Sequence, residues 1–311
     1  MNTWEIIISI VAAIGLFSHS LESFSDNLKE QAQGKLNRVI GRMSDTKIKG
    51  LLLGFGATAV IQSSSAVSAI LVSLTDAGVI SFKNSLPVLL GSNLGTTVTA
   101  WLVSFKLEAL GIGLLALGFV MGYFKGRLNL LAKPIFYLGL ILFSLELISE
   151  FLGPLKESQA LVDFLAYAAN PLIGILIGAV ITALCQSSSV TIGLTIILCG
   201  QGVIGLESAI AIIVGSNVGT TTTAFLASMK LGVVAKKTAF ANLIYNVFGV
   251  LFYLPLAKVF ENTVRAITDD LSYQVAFAHL FFNLIIAIIL MPFTDQLANW
   301  IDRRKTFQQT N

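Results

Sequence analysis

Shifted by 124 residues, the 311-residue chain matches itself without a gap. "QSSS" at 62–65 falls on "QSSS" at 186–189, "GVI" at 78–80 on 202–204, and "GSNLGTTVTA" at 91–100 on "GSNVGTTTTA" at 215–224. Between 54–104 and 178–228 about 21 of 51 positions are identical, and Ser20-Leu21-Glu22 falls on Ser144-Leu145-Glu146. A gap-free match of that length is a duplication, not composition. The fold is therefore built twice from one plan, a symmetry common in membrane transporters.

Composition says which medium that plan serves. Hydrophobic residues make up 55% of the chain and charged residues 12%, against about 45–50% and 25% in soluble domains. Apolar runs at 4–21, 107–124, 134–148, 238–259 and 275–293 approach or reach the length that crosses a hydrocarbon layer of about 30 Å as a helix. No short alternating strands suggest a β-barrel. The chain reads as an all-α polytopic membrane protein. Its first apolar run lacks a basic flank and a small-residue cleavage site, and is expected to be a retained helix. A net charge of +3 gives no case for nucleic acid, and Cys185 and Cys199, the only cysteines, imply no disulfide framework or metal cluster.

Basic residues in short loops mark the cytoplasmic side. The loop after the first run carries Lys29, Lys35, Arg38, Arg42, Lys47 and Lys49, whereas its counterpart near 150–170 carries Lys156 beside Glu150, Glu157 and Asp163. Equivalent loops thus prefer opposite sides, so the two repeats are expected to be inverted. Lys125, Arg127, Lys133, Lys230, Lys236, Lys237 and Arg303-Arg304-Lys305 read inside; 261–270, with Arg265 as its one base, reads outside. Each repeat is expected to hold a spanning helix, a re-entrant "QSSS" hairpin entered along 50–61 or 172–185, a spanning segment broken at "GSN", and a further spanning helix. The resulting division is repeat 1 at 1–133, repeat 2 at 134–257, and a final helix with a basic tail at 258–311. The N-terminus is expected outside and the C-terminus in the cytoplasm.

Irregular backbone inside a bilayer persists only where protein or a water-filled cavity satisfies it. The glycines and asparagine of each "GSN" motif suggest unwound helix, and helix ends offer N–H groups to anions and carbonyls to cations. Gln62, Ser63, Ser64, Ser65, Asn93, Thr96 and Thr97, with Gln186, Ser187, Ser188, Ser189, Asn217, Thr220 and Thr221, form two matched sets of hard oxygen ligands. Small residues also serve close helix packing; recurrence of the whole set at one spacing in both repeats outweighs that reading. No Lys or Arg lies within these motifs, so bound cations must balance an anion held there. Inward movement of an anion against the membrane potential costs about 2.3 kcal/mol per charge per 100 mV, a cost that co-moving Na+ removes. Glu22 and Glu146 are equivalent acids near helix ends, suited either to reaching the interface or to orienting the hairpins. His279 lies in "AFAHLFFN" (276–283), an echo of "AFANLIYN" (239–246), and reads as structural packing in preference to a proton relay, since buried histidine is more often scaffold. With no G-x-S-x-G elbow, H-E-x-x-H motif or histidine beside a serine run, enzymatic chemistry is not expected.

The duplicated "QSSS" motifs, each followed after about 25 residues by "GSNxGTT", resemble the type II sodium–phosphate cotransporter family. The resemblance implies inorganic phosphate and Na+ bound between inverted repeats in the bacterial inner membrane. It implies phosphate on Ser63, Ser64, Ser65, Ser187, Ser188, Ser189, Asn93 and Asn217. Na+ is expected on Gln62, Gln186, Ser64, Ser188, Thr96, Thr97, Thr220 and Thr221, with no organic cofactor and no transition metal. Many bacterial relatives add a soluble PhoU-like domain; this chain is expected to be the transport core. Two other readings keep the residues and change the role: transport of sulfate or a carboxylate, or a phosphate sensor or scaffold that does not transport.

Overall fold

A computed structural model of the chain describes residues 3–32, 46–105, 108–152, 168 and 170–304. Lys35, Arg38, Arg42, Lys156, Glu157, Asp163 and Lys305 of the charge argument lie outside them. The described residues are helical, with no strand. In chain order the helices are α1 (Thr3–Ala32), α2 (Lys47–Ile61), α3 (Ser64–Asp76), α4 (Phe82–Gly95), α5 (Thr97–Ser104), α6 (Glu108–Met121) and α7 (Arg127–Leu152). Then follow α8 (Pro171–Cys185), α9 (Ser188–Gly200), α10 (Leu206–Ser228), α11 (Val233–Arg265), α12 (Leu271–Leu290) and α13 (Thr294–Asp302).

Among the described residues six stretches are long and apolar enough to cross a membrane: Trp4–Gln31, Phe82–Ser104, Leu128–Leu152, Leu206–Ser228, Val233–Arg265 and Leu271–Asp302. The pairs α2/α3 and α8/α9 are different. Their arms hold 13 to 15 residues, about 20–22 Å at 1.5 Å per residue, too short for a hydrocarbon core of about 30 Å. The run at 107–124 likewise yields only the 14-residue α6, because Gly122 begins a turn.

Helices α1 and α6 both pack on α7, with Phe17, Leu21, Ile141, Leu145 and Ile148 buried between α1 and α7. The paired helices pack elsewhere: α2 lies along α4, α8 along α10, and α11 and α12 complete the bundle around them. Glycine makes the first two contacts possible. A Cβ on Gly54 would stand 2.0 Å from the Val88 carbonyl oxygen, and one on Gly91 1.9 Å from that of Leu51. In the second repeat, a Cβ on Gly178 would stand 1.9 Å from the Ile212 oxygen and one on Gly215 2.0 Å from the Ile175 oxygen. Only hydrogen fits there, so backbone packs against backbone.

That packing corrects one expectation. The "GSN" glycines do not unwind their helices. In repeat 1 the interruption is Thr96 alone, which keeps φ −63° and ψ −23°; in repeat 2, α10 runs unbroken through "GSNVGTT". Gly91, Gly95, Gly215 and Gly219 are spent on contact with α2 and α8, and those contacts hold the helix together.

Two ionic clusters fix the ends of the bundle. Asp295 of α13 pairs with Lys47 (3.2 Å) and Lys83 (3.4 Å), while Asp302 pairs with Lys237 (2.7 Å). At the other end of α11, Lys258 joins Glu207 (3.2 Å) and Glu261 (2.8 Å). Lys83 and Glu207 are equivalent positions under the 124-residue shift, beginning α4 and α10. Lys83 is tied through α13 to the end of α11 that carries Lys237, whereas Glu207 pairs directly with Lys258, about 31 Å of helical rise from Lys237.

Candidate functional site

Each "QSSS" motif forms the joint between two short helices, and its glutamine is the turning residue. Gln62 adopts φ 58°, ψ 27° and Gln186 φ 54°, ψ 20°. Among the described residues these are the only non-glycine positions with positive φ. A left-handed residue with a side chain costs about 1–2 kcal/mol. Glycine would remove that cost, yet both joints carry glutamine.

The two side chains are held alike. Gln62 Nε2 donates to the Ala59 carbonyl (2.5 Å), and Thr99 Oγ1 donates to Gln62 Oε1 (2.9 Å). Gln186 Nε2 donates to the Ala183 carbonyl (2.6 Å), and Thr223 Oγ1 donates to Gln186 Oε1 (3.0 Å). One hydrogen bond leaves each Oε1 a further lone pair. Thr99 and Thr223 were missed in the ligand sets, although both are threonine under the 124-residue shift.

Beyond each glutamine a serine starts the next helix. Ser63 Oγ accepts from Ala66 N (3.2 Å), an ordinary N-cap, whereas Ser187 caps nothing through its side chain. Orphan N–H groups in the first turns of α3 and α9 favour negative charge, while the C-terminal ends of α2 and α8 favour positive charge. Ser64, Ser65 and Ser188 are buried, with no side-chain partner among the described residues. Ser189 Oγ donates to the Gln62 carbonyl at 3.4 Å. The two motifs, 124 residues apart in sequence, therefore touch.

The joints differ in access. Gln62 is 6% exposed, while Gln186 and its neighbours Leu184 and Cys185 are exposed. One tip is enclosed by protein and the other open.

The flanking motifs sit on α4/α5 and α10 and divide by chemistry. Thr96 and Thr97 donate to the carbonyls of Ser92 (3.3 Å) and Leu94 (2.8 Å), and Thr220 and Thr221 to those of Ser216 (3.0 Å) and Val218 (2.7 Å). With their protons committed, these oxygens can only accept, which suits a cation. Asn93 and Asn217 each spend one of two N–H donors on a neighbouring helix: Asn93 Nδ2 donates to Asn246 Oδ1 (3.2 Å), and Asn217 Nδ2 to Asn283 Oδ1 (3.3 Å).

Asn246 and Asn283 are the last residues of "AFANLIYN" and "AFAHLFFN", so the echo has a structural meaning: α11 serves the first "GSN" and α12 the second. Asn246 donates back to the Asn242 carbonyl (2.8 Å) and Asn283 to that of His279 (3.0 Å). His279, expected to serve structural packing, is 1% exposed, and among the described residues neither ring nitrogen has a hydrogen-bond partner.

Against known proteins, the Na+/Pi-cotransporter family matches residues 16–150 and 157–269. The uncharacterized protein YqeW of Bacillus subtilis is 33% identical over 293 residues, covering 93% of this chain and 95% of its own. YjbB of Escherichia coli, named provisionally as an inorganic phosphate export protein, is 26% identical over 94% of this chain; the chain spans 55% of it. The sodium-dependent phosphate transport protein 2C of Mus musculus is 40% identical over 103 residues, 29% of this chain and 17% of its own. No solved structure matches. The chain belongs to the Na+/Pi-cotransporter family, a family of transporters and not of enzymes.

Proposed function

We propose that this member of the Na+/Pi-cotransporter family moves inorganic phosphate across the membrane together with Na+, at one site shared by the two "QSSS" tips. The observation that carries this reading is the contact between them, Ser189 to Gln62, with both glutamines turned left-handed and held by equivalent threonines. Free hydroxyls of Ser64, Ser65 and Ser188 and the orphan N–H groups of α3 and α9 supply neutral donors for phosphate. Gln62 and Gln186 Oε1, with the proton-committed threonines, supply acceptors for Na+. Since no Lys or Arg lies in the motifs, each ion needs the other, and that is the physical basis of coupling.

In this reading α2/α3 and α8/α9 are re-entrant hairpins of inverted repeats, entering from opposite faces. Arms of 13 to 15 residues and the separation of Lys83 from Glu207 along α11 support it. We take the face carrying Lys47, Lys83, Lys237 and α13 as cytoplasmic, with the N-terminus outside in a bacterial inner membrane, because basic residues mark the cytoplasmic side. The enclosed first tip and open second tip fit one state of an alternating-access cycle.

The test is uptake of radiolabelled phosphate into proteoliposomes, with an inward Na+ gradient or an equal K+ gradient, against excess sulfate. Na+-dependent uptake insensitive to sulfate is expected. Equal uptake in K+, or loss to sulfate, contradicts the assignment of cation or anion, and no uptake favours a sensor or scaffold. Net export in the cell fits the same site, as the name of the Escherichia coli relative suggests; reversing the gradient reads that direction.

A further inference from the structure

A cavity of about 540 Å³ lies away from the "QSSS" tips, between α7 and the far end of α9. Glu146, Ser149 and Glu150 line it from α7, Gln201 from the end of α9, and Ser272 from the start of α12. The rest of the lining is apolar, and among the described residues it includes no cationic side chain. Phe17, packed against Gly193 and close to Val103, stands between α1 and the middle of α9.

Two oxygens there lack what buried oxygens require. Glu146 Oε2 is buried without a hydrogen-bond partner, and so is Gln201 Oε1. Gln201 is not loosely placed: its Nε2 donates to both the carbonyl and the hydroxyl of Ser149, which leaves the amide oxygen as its unused end. Glu146 belongs to the spanning stretch Leu128–Leu152, where an unpaired carboxylate is costly and marks a functional position. Carbonyls at the C-terminal end of α9 add negative potential. Glu22, its equivalent in repeat 1, is exposed, and Ala77 stands where Gln201 does, so the arrangement belongs to one repeat alone.

We propose that this cavity is a binding site for a monovalent cation, Na+ in the setting of this family, formed by the Glu146 carboxylate, the Gln201 amide oxygen and the Ser149 hydroxyl. Ligand chemistry sets the class. Among the described residues no three His, Cys, Asp or Glu side chains converge, which disfavours transition metals and Ca2+. Of the two carboxylates in the lining Glu150 is exposed, so Glu146 with the neutral oxygens matches a single positive charge. The site is separate from the tips, and bound cation would tie α7 to the end of α9.

Equilibrium binding of radiolabelled Na+ to the purified protein, in phosphate-free detergent solution with choline as the balancing cation, tests it. Glu146→Gln, which keeps shape and removes charge, and Gln201→Ala, at a turn, should each weaken one saturable Na+ component at least ten-fold. Gln186→Ala, at the tip, should leave that component in place. The proposal is overturned if either cavity variant binds Na+ like the parent. The first such outcome means that Glu146 does not ligate the cation, the second that Gln201 does not. It is also overturned if Gln186→Ala removes the same component, which would return it to the tips.

Discussion

Ser189 Oγ donates to the backbone carbonyl of Gln62 across 3.4 Å and a sequence separation of 127 residues. The acceptor is the carbonyl of a left-handed residue that ends α2; the donor lies in the first turn of α9. A carbonyl end from one repeat is thus placed against an N–H end from the other. Helix ends of opposite polarity meeting where no formal charge is present are what a neutral site for an ion pair needs.

Gln186→Gly separates the backbone role from the side-chain role. Glycine accepts φ 54° without strain, so thermal stability should hold or rise by up to about 1 kcal/mol, while Na+-dependent phosphate uptake should be lost. A thermal melt beside an uptake assay checks this. Normal uptake would mean that the glutamine serves only the turn.

Thr99→Val and Thr223→Val each remove the hydroxyl that holds a glutamine oxygen, worth about 1 kcal/mol. Half-saturating Na+ for uptake should rise about five-fold in each, with serine at either position restoring it. Rescue by serine distinguishes loss of the hydrogen bond from loss of packing.

Gly54→Ala and Gly178→Ala force a methyl group into a carbonyl oxygen about 2 Å away. Overpacking of that kind costs about 1–3 kcal/mol or more, and both variants should melt lower than the parent. Gly113→Ala, with no atom within 4 Å of the added methyl, should melt like it.

The pair Asn217–Asn283 links a "GSN" motif to the "AFAHLFFN" helix. A double-mutant cycle on thermal stability with Asn217→Ala and Asn283→Ala should give a coupling of about 0.6 kcal/mol, as found for hydrogen bonds between membrane helices. Asn93 with Asn246 should behave alike.

Much of this was legible in the residues. Apolar length marked the spanning helices, and the 124-residue shift paired Gln62 with Gln186 and Thr99 with Thr223. What misled was glycine. Gly91 and Gly215 weaken a helix by propensity, yet a tight partner reverses that preference, and the partners, Leu51 and Ile175, are 40 residues distant. Asn246 and Asn283 could have been found from the echo, but their partners Asn93 and Asn217 are set by packing at long range. The different exposure of Gln62 and Gln186 was invisible, because two near-identical motifs cannot announce that they occupy different surroundings.

The central claim is that two tips make one site, and binding of radiolabelled phosphate to Ser188→Ala in saturating Na+ tests it most directly. A shared site predicts one class of binding sites, all weakened about ten-fold, as loss of a hydrogen bond to a charged group would give. Half of the sites retaining the parent's affinity would contradict it, for then each "QSSS" motif would bind phosphate by itself.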